Sequence, residues 1–302
     1  MNVQRSFGAG TTGTLYLVGT PIGNLEDMTF RAVRVLQEVD LIAAEDTRQT
    51  RKLLTHYEIQ TRLVSYHEHN KQASGSELVR LLLDGQHIAL VSDAGLPAIS
   101  DPGSDLVVAA AEAGIPVVPV PGANAALSAL IVSALPTERF TFAGFPPREK
   151  KRLQPWLEEL AVQEGTLLLY ESPHRLQKTL QAIAVAWGNR QMAMVRELTK
   201  RYEEVVRGTV QECLERLDEH PPQGEYVLVL AGAEHQLPDG AESPRAGDVT
   251  WWSPLSLEAH VRHYEELTGD RKEAMRRTAQ DRGLPRREVY NTLMKKHDEE
   301  DQ

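Results

Sequence analysis

Cysteine is almost missing from this chain of 302 residues, with Cys213 its single example. A disulfide within the chain and a zinc site built on cysteine are thereby excluded, and the lone thiol, set in a helical pattern, is expected in the core. Long apolar runs are missing too. No stretch approaches the roughly 20 residues needed to cross a bilayer, and residues 1–13, rich in glycine and threonine, lack the hydrophobic segment of a secretory signal. No membrane association is expected, and the cytoplasm is the expected location. Positive charge is scarce: 33 Lys and Arg stand against 43 Asp and Glu, a net charge of -10. That excludes a surface uniformly coating nucleic acid, because phosphate affinity comes from Lys and Arg that displace counterions. Any nucleic acid must be met by local patches.

Several catalytic signatures are lacking as well. There is no Gly-x-Ser-x-Gly elbow of the serine hydrolases. A literal Gly-x-Gly-x-x-Gly at residues 8–13 precedes the first expected strand instead of following one, so it reads as part of a flexible arm over residues 1–13, and no Walker lysine is found. His67-Glu68-His69 offers histidines two apart without a helical i,i+4 pair or a third ligand, so no metal site is expected.

What the chain does have is 41% hydrophobic residues, enough for a full core, arranged as short β-rich runs alternating with helical periodicity. Strands are predicted at 15–18, 41–44, 63–65, 88–91 and 117–120, and helices at 30–39, 48–57, 77–84 and 104–113, the last stopped by Gly114. Alternation of this kind predicts an α/β fold with a parallel, doubly wound sheet over residues 14–135. After Pro136 the spacing changes, with strands at 140–143, 166–170, 192–195, 205–207 and 226–230 and helices at 152–164, 176–187 and 210–217. This predicts a second α/β domain, 136–231, with a mixed sheet. Residues 232–254, rich in Gly, Pro, Ser and Asp, read as a linker. Beyond it, helices at 255–267, 272–281 and 286–296 form a small module over 255–297, and the acidic residues 298–302 read as a disordered tail. Ala279 with Gly283 four residues on fits the close crossing of a helix-turn-helix, while a three-helix packing module with no nucleic-acid role explains the pattern equally well.

The loops after the expected strands carry the polar chemistry, where α/β proteins place ligands. Ser92-Asp93-Ala94-Gly95-Leu96-Pro97-Ala98-Ile99-Ser100-Asp101-Pro102-Gly103 follows a buried-strand pattern. Its glycines and prolines fix an irregular backbone, and its two aspartates accept hydrogen bonds from hydroxyl, amine or amide donors, which suits a small polar cofactor. Val18-Gly19-Thr20-Pro21-Ile22-Gly23-Asn24 and Pro121-Gly122-Ala123-Asn124-Ala125 leave the same edge. Glu45-Asp46-Thr47-Arg48 combines an acidic strand end with a helix N-cap by Asp46. Glu171-Ser172-Pro173-His174-Arg175 and Arg196-Glu197-Leu198-Thr199-Lys200-Arg201 cluster charge at strand ends of the second domain, which suits a polyanionic substrate as well as helix capping and surface ion pairs. Three basic patches stand out: Arg148, Lys150, Lys151 and Arg152; Arg196, Lys200 and Arg201; and Arg271, Lys272, Arg276 and Arg277.

Taken in order, residues 18–24, 44–48, 92–103, 120–125, 171–175 and Gly224-Glu225-Tyr226 make a set that resembles the tetrapyrrole-methylase family of S-adenosylmethionine-dependent enzymes. More narrowly it is similar to the family's ribosomal RNA branch, over about residues 14–231, with terminal helices like the module appended in that branch. The resemblance implies two α/β domains with the methyl donor bound in the cleft between them. It implies methylation of the ribose 2'-hydroxyl of a cytidine in the decoding centre of 16S rRNA, supporting translational fidelity, with the small ribosomal subunit as partner and a homodimer as the assembly. By resemblance Pro21, Asp93, Gly95, Ile99, Ser100, Asn124, Ala125, Tyr170 and Glu171 contact the donor. Asp46, Asp101 and Lys200, in that order, are the candidates for removing the hydroxyl proton, a lysine serving only with its pKa lowered. The RNA is expected on Arg148, Lys150, Lys151, Arg152, Arg175, Arg196, Arg201, Lys272, Arg276, Arg277, Arg286 and Arg287. The chain departs from porphyrin-modifying members in having Val-Ser-Asp-Ala-Gly and a longer loop where they have Gly-Gly-Asp-Pro, which argues against a tetrapyrrole substrate. Methylation of a small tetrapyrrole or precorrin, and RNA binding without catalysis, are the alternatives.

Overall fold

The computed structural model describes residue 4, residues 11–68, 70–233 and 255–282, and the single positions 284, 289 and 293. Most of the arm, most of the proposed linker, most of the helix expected at 286–296 and the acidic end lie outside the described residues, as does His69. The described chain divides into two compact units, Met1–Gln236 and Leu237–Gln302.

Five short strands of the first unit pair in parallel. They are β1 (Leu15–Val18), β2 (Leu41–Ala44), β3 (Leu63–Ser65), β4 (Ile88–Val91) and β5 (Val117–Val120), in the order β3-β2-β4-β1-β5. A parallel sheet is covered on both faces, so its central strands are apolar at every position. The alternation of side chains sorts them. Leu41, Ala43, Ile88 and Leu90 pack beneath α3 (Lys71–Leu83) and α4 (Ser104–Glu112), through Leu78, Leu82, Leu106 and Ala110. Ile42, Ala44, Ala89 and Val91 pack on the other face with Val35 and Leu36 of α1 (Phe30–Glu38) and Leu54 of α2 (Thr47–His56). The predicted strands coincide with the observed ones. Helix α3 starts six residues before the predicted position, because Ser74, Gly75 and Ser76, poor helix formers, hide its first turns.

A second sheet follows, with β6 (Phe140–Gly144), β7 (Thr166–Glu171), β8 (Gln191–Arg196), β9 (Glu204–Thr209) and β10 (Tyr226–Leu230) in the order β6-β7-β10-β8-β9. It is mixed as expected: β6 and β7 run parallel, and every other pair is antiparallel. One face carries α6 (Lys150–Ala161), α7 (Pro173–Trp187) and α8 (Val210–Glu219), which enclose Cys213 in an apolar cluster with Leu167, Leu169, Met192 and Leu228. The opposite face is covered by α5 (Ala125–Val132), although that helix follows directly from the first sheet. Ala126, Ala129 and Leu130 pack there against Leu168, Ala193, Val195, Val227 and Val229. Small side chains let the helix lie close to the strands.

In the second unit, α9 (Leu257–Thr268) and α10 (Arg271–Asp281) pack around Val261, Ala274 and Ala279, with Val289 and Leu293 in the same cluster. Ala279 is buried there, while Gly283, its expected partner in a close crossing, lies outside the described residues.

Candidate active site

The carboxyl ends of β1, β4 and β5 and those of β6, β7 and β8, together with the start of antiparallel β10, bound one cavity of about 510 Å³, within the range of ligand sites. Two glycines let the first-sheet loops meet. A Cβ on Gly19 would stand 2.9 Å from the Gly122 backbone, and one on Gly122 would stand 3.0 Å from Gly19, so no side chain fits at either place. Loop 19–24 is then tied to loop 92–103 by a reciprocal backbone pair, Thr20 N to Gly95 O at 2.8 Å and Gly95 N to Thr20 O at 3.1 Å. The Thr20 hydroxyl, buried, donates to the carbonyls of Ser92 and Gly95 at 3.3 Å.

Eight of the nine residues expected at the donor line this cavity: Asp93, Gly95, Ile99, Ser100, Asn124, Ala125, Tyr170 and Glu171. Pro21 does not; its neighbour Ile22 forms the wall instead. Asn124 also caps α5, its Oδ1 accepting from Leu127 N at 2.9 Å. Tyr170 is held edge-on between Phe142 and Phe145, with ring centroids 4.9 and 5.4 Å away. Glu171 is buried and already bonded: Ser172 N donates to Oε1 at 2.8 Å and the Thr179 hydroxyl to Oε2 at 2.6 Å. Sequence reasoning missed Phe145 and Val227, and gave Leu198, Glu225 and Tyr226, which it quoted within motifs, no place at the donor. For Phe145 and Leu198 the strand-end rule was sufficient signal. For the residues at the start of β10 the signal lies in its antiparallel placement between β7 and β8, which no local pattern carries.

The three candidate bases sit in different surroundings. Asp46 is absent from the cavity wall. It caps α2, accepting from Arg48 N at 2.8 Å, and pairs with the Arg48 guanidinium at 2.9 and 3.2 Å. Those bonds, that with the Arg48 side chain first, hold its pKa down at about 2, which makes it a weak base. Lys200 lines the cavity and bridges Glu197 at 3.0 Å and Glu225 at 2.7 Å. Burial alone lowers its pKa, but the two carboxylates outweigh burial and raise it, so it stays charged, contrary to the lowered value a lysine base requires. Asp101 lines the cavity, and burial pushes it up to about 6; a hydrogen bond with Ser92 opposes this and Asp93 adds to it. Glu45 is raised too, first by burial and then by Asp101, Asp93 and Asp46. Asp93 meanwhile accepts the backbone N–H of Asp46 at 3.1 Å. The first-sheet side of the cavity is therefore a crowd of carboxylates.

Of the residues expected at RNA, Arg148, Lys150, Lys151 and Arg152 form an exposed basic group where α6 begins. Arg175 is engaged elsewhere: its Nη2 donates to the carbonyls of Pro146 and Pro147 at 3.0 and 2.9 Å and lies 3.6 Å from Glu171. Arg196 Nε donates to the Gln223 carbonyl at 2.7 Å, and Arg201 stands 5.6 Å over the Tyr202 ring. In α10, Lys272 is exposed, while Arg276 and Arg277 both pair with Glu273. Arg286 and Arg287 lie outside the described residues. Among the described residues no group of three His, Cys, Asp or Glu could hold a metal ion, and no helix is long and apolar enough to cross a membrane.

Comparison with known proteins bears on the architecture and its lineage. A family model described as tetrapyrrole (corrin/porphyrin) methylases matches residues 14–214. Over 292 residues the chain is 53% identical to the ribosomal RNA small subunit methyltransferase I of Halalkalibacterium halodurans, covering 96% of this chain and 98% of that one. It is 50% identical over 289 residues to the Bacillus subtilis protein of the same name, covering 95% and 97%. Among solved structures, uroporphyrin-III C-methyltransferase from Thermus thermophilus in complex with S-adenosylhomocysteine has a TM-score of 0.52 at 21% identity, over 72% of this chain and 97% of that one. A cobalt precorrin-4 methyltransferase reaches 0.55 at 18% identity, over 72% and 94%. At such identities the two structures speak for the fold, which is the one observed here. With a family model across two thirds of the sequence and relatives half identical along nearly all of it, this chain belongs to the tetrapyrrole methylase family.

Proposed function

We propose that this protein transfers a methyl group from S-adenosylmethionine to ribosomal RNA of the small subunit, and more finely to the ribose 2'-hydroxyl of a cytidine in the decoding centre of 16S rRNA. The names of the half-identical relatives support the RNA substrate. The observation in the structure that carries the chemistry is Asp101, a cavity carboxyl group raised to about 6.

The residues present suit a cationic donor. Asp93 adds to the raised proton affinity of both Glu45 and Asp101, and Asp101 to that of Glu45; a bound sulfonium and ammonium group would relieve that repulsion. Ile22, Leu96, Ile99 and Val227 supply apolar wall for the remainder. Asp93, Gly95, Ile99, Ser100, Asn124, Ala125, Tyr170 and Glu171 would hold the donor, with Ile22 taking the place expected of Pro21. When bound, S-adenosylmethionine supplies a methyl carbon on positively charged sulfur, already electrophilic. The protein's tasks are then alignment, exclusion of water and removal of one proton. Asp101 would accept the proton of the ribose hydroxyl, so that the hydroxyl oxygen could take the methyl carbon as the carbon–sulfur bond breaks and S-adenosylhomocysteine leaves as a neutral thioether. A base with a pKa near 6 is mostly ionised at neutral pH yet still basic enough to help, which Asp46 at about 2 is not.

RNA is held by the exposed group at Arg148, Lys150, Lys151 and Arg152 and by the helices of the second unit, and the work belongs in the cytoplasm. Leu127 and Ile131, one turn apart and exposed on α5, support a homodimer; light scattering should give twice the chain mass. Removing residues 249–302 should weaken binding to small ribosomal subunits while leaving S-adenosylhomocysteine affinity unchanged, as read by filter binding and calorimetry. The decisive test is methyl transfer to purified small subunits from a strain lacking this protein, followed by mapping of 2'-O-methyl groups. Label on one cytidine of the decoding centre is the expected result. Transfer to a precorrin instead would establish the tetrapyrrole reading, and absence of S-adenosylmethionine binding would leave a non-catalytic RNA binder.

A further inference from the structure

Helix α2 carries a concentration of positive charge that neither helix stability nor the donor cavity explains. Arg48, Arg51 and Lys52, with Thr47 and Thr55, line a shallow concavity of about 530 Å³. The spacing 48, 51, 52, 55 is that of a single helix face. All three cations sit in the first two turns, and no acidic residue follows the N-cap in the first turn. The helix dipole disfavours a cation in the first turn, where Arg48 lies, and lends no support to Arg51 and Lys52 in the second. In a chain of net charge -10 the group is also a local reversal of sign. Arg48 is half neutralised by Asp46, but its side chain is 87% exposed. Arg51 and Lys52 are exposed, Lys52 donating to the amide oxygen of Gln49 at 3.1 Å.

The position of this face matters as much as its charge. Helix α2 begins at Asp46, whose backbone N–H is bonded to the cavity residue Asp93 at 3.1 Å. The basic face therefore starts at the rim of the cavity and runs outward along one helix. An extended nucleic-acid strand with one nucleotide drawn into the cavity must lay its neighbouring phosphates on such a rim.

We propose that Arg48, Arg51 and Lys52 form a phosphate track that receives the backbone flanking the target nucleotide. The inference rests on the RNA reading above and extends it to a surface outside the three basic patches legible in the sequence. Positions 51 and 52 are the ones to test, since Arg48 also serves the α2 cap. In Arg51→Gln/Lys52→Gln, binding to unmodified small ribosomal subunits should weaken, and the slope of log affinity against log salt should fall by about two, one per lost phosphate contact. S-adenosylhomocysteine affinity should be unchanged. Arg34→Gln, which removes an exposed cation paired with Glu38 on α1, should leave the salt slope as it is. A double variant with the parental slope overturns the track while the RNA reading stands. A parent protein that fails to bind small subunits at all overturns both.

Discussion

Two loops line the cavity, residues 92–103 after β4 and residues 197–203 after β8, and they use the same backbone device for opposite ends. Each places two non-glycine residues in the left-handed region, Ala98 at φ 67° and Ser100 at φ 60° in the first, Glu197 at φ 49° and Thr199 at φ 68° in the second. Each therefore stores strain that the surrounding packing must hold. Their electrostatics diverge. In the first loop Asp101 is desolvated beside the charge of Asp93 and rises to about 6. In the second, burial of Glu197 is outweighed by the Glu225 N–H at 2.9 Å and by Lys200, so its pKa is lowered. Gly224, at φ 79°, must be glycine for this, because a Cβ there would lie 2.5 Å from the Glu197 side chain. The lesson is that strain alone does not mark chemistry. Strain beside a desolvated carboxyl group does, and strain beside a carboxylate met by a lysine and a backbone N–H marks scaffolding.

Asp101→Asn should break the contrast most severely. Methyl transfer should fall about 10²- to 10⁴-fold with S-adenosylhomocysteine affinity retained, and the parent's single-turnover rate should rise with pH about a midpoint near 6. The same change should stabilise the fold at neutral pH. A carboxyl group whose folded pKa is raised binds more protons folded than unfolded between its ordinary 3.8 and about 6. Stability is thus lost as pH rises through that window. Removing the group returns about 1 kcal/mol above pH 6, after allowance for solvent screening, and nothing below pH 3. Denaturant melts of both proteins at pH 3 and pH 7.5 would show it.

Lys200→Met addresses the other loop. Left without their cation, Glu197 and Glu225 should cost about 1 kcal/mol of stability, while methyl transfer drops less than tenfold and its pH midpoint stays near 6. A loss as large as that of Asp101→Asn, with a shifted midpoint, would return the lysine to the chemistry. The smallest effect is expected at Ala98→Gly, where relief of left-handed strain should add about 1 kcal/mol or less to the melting stability and leave turnover nearly unchanged.

Much of this was legible in the sequence, for local reasons. Runs such as Leu41–Ala44 and Ile88–Val91 are apolar throughout because both their faces are covered, and the polar loops that leave them announce a ligand edge. That edge rule singled out the loops 92–103 and 121–125, and the family resemblance named Asp93, Ser100, Asn124 and Tyr170, all of which line the cavity. Strand-end position put Asp46 ahead of Asp101, because it does not register the Arg48 guanidinium that holds the one down or the burial that raises the other. Nor could it find Tyr226 and Val227, which reach the cavity at the beginning of a strand through long-range pairing with β7 and β8. Arg175 read as an RNA ligand from its type, and only the carbonyls of Pro146 and Pro147 reveal its other engagement.

Helix α5 leaves the first sheet and seats Ala126, Ala129 and Leu130 on the second. Neither half can therefore be isolated intact by cutting near residue 135. A fragment ending there would carry an apolar helix with nothing to lie against, and its complement would present Leu168, Ala193, Val195 and Val229 to water. The pair should behave as a split protein, soluble and competent only when both pieces are made together.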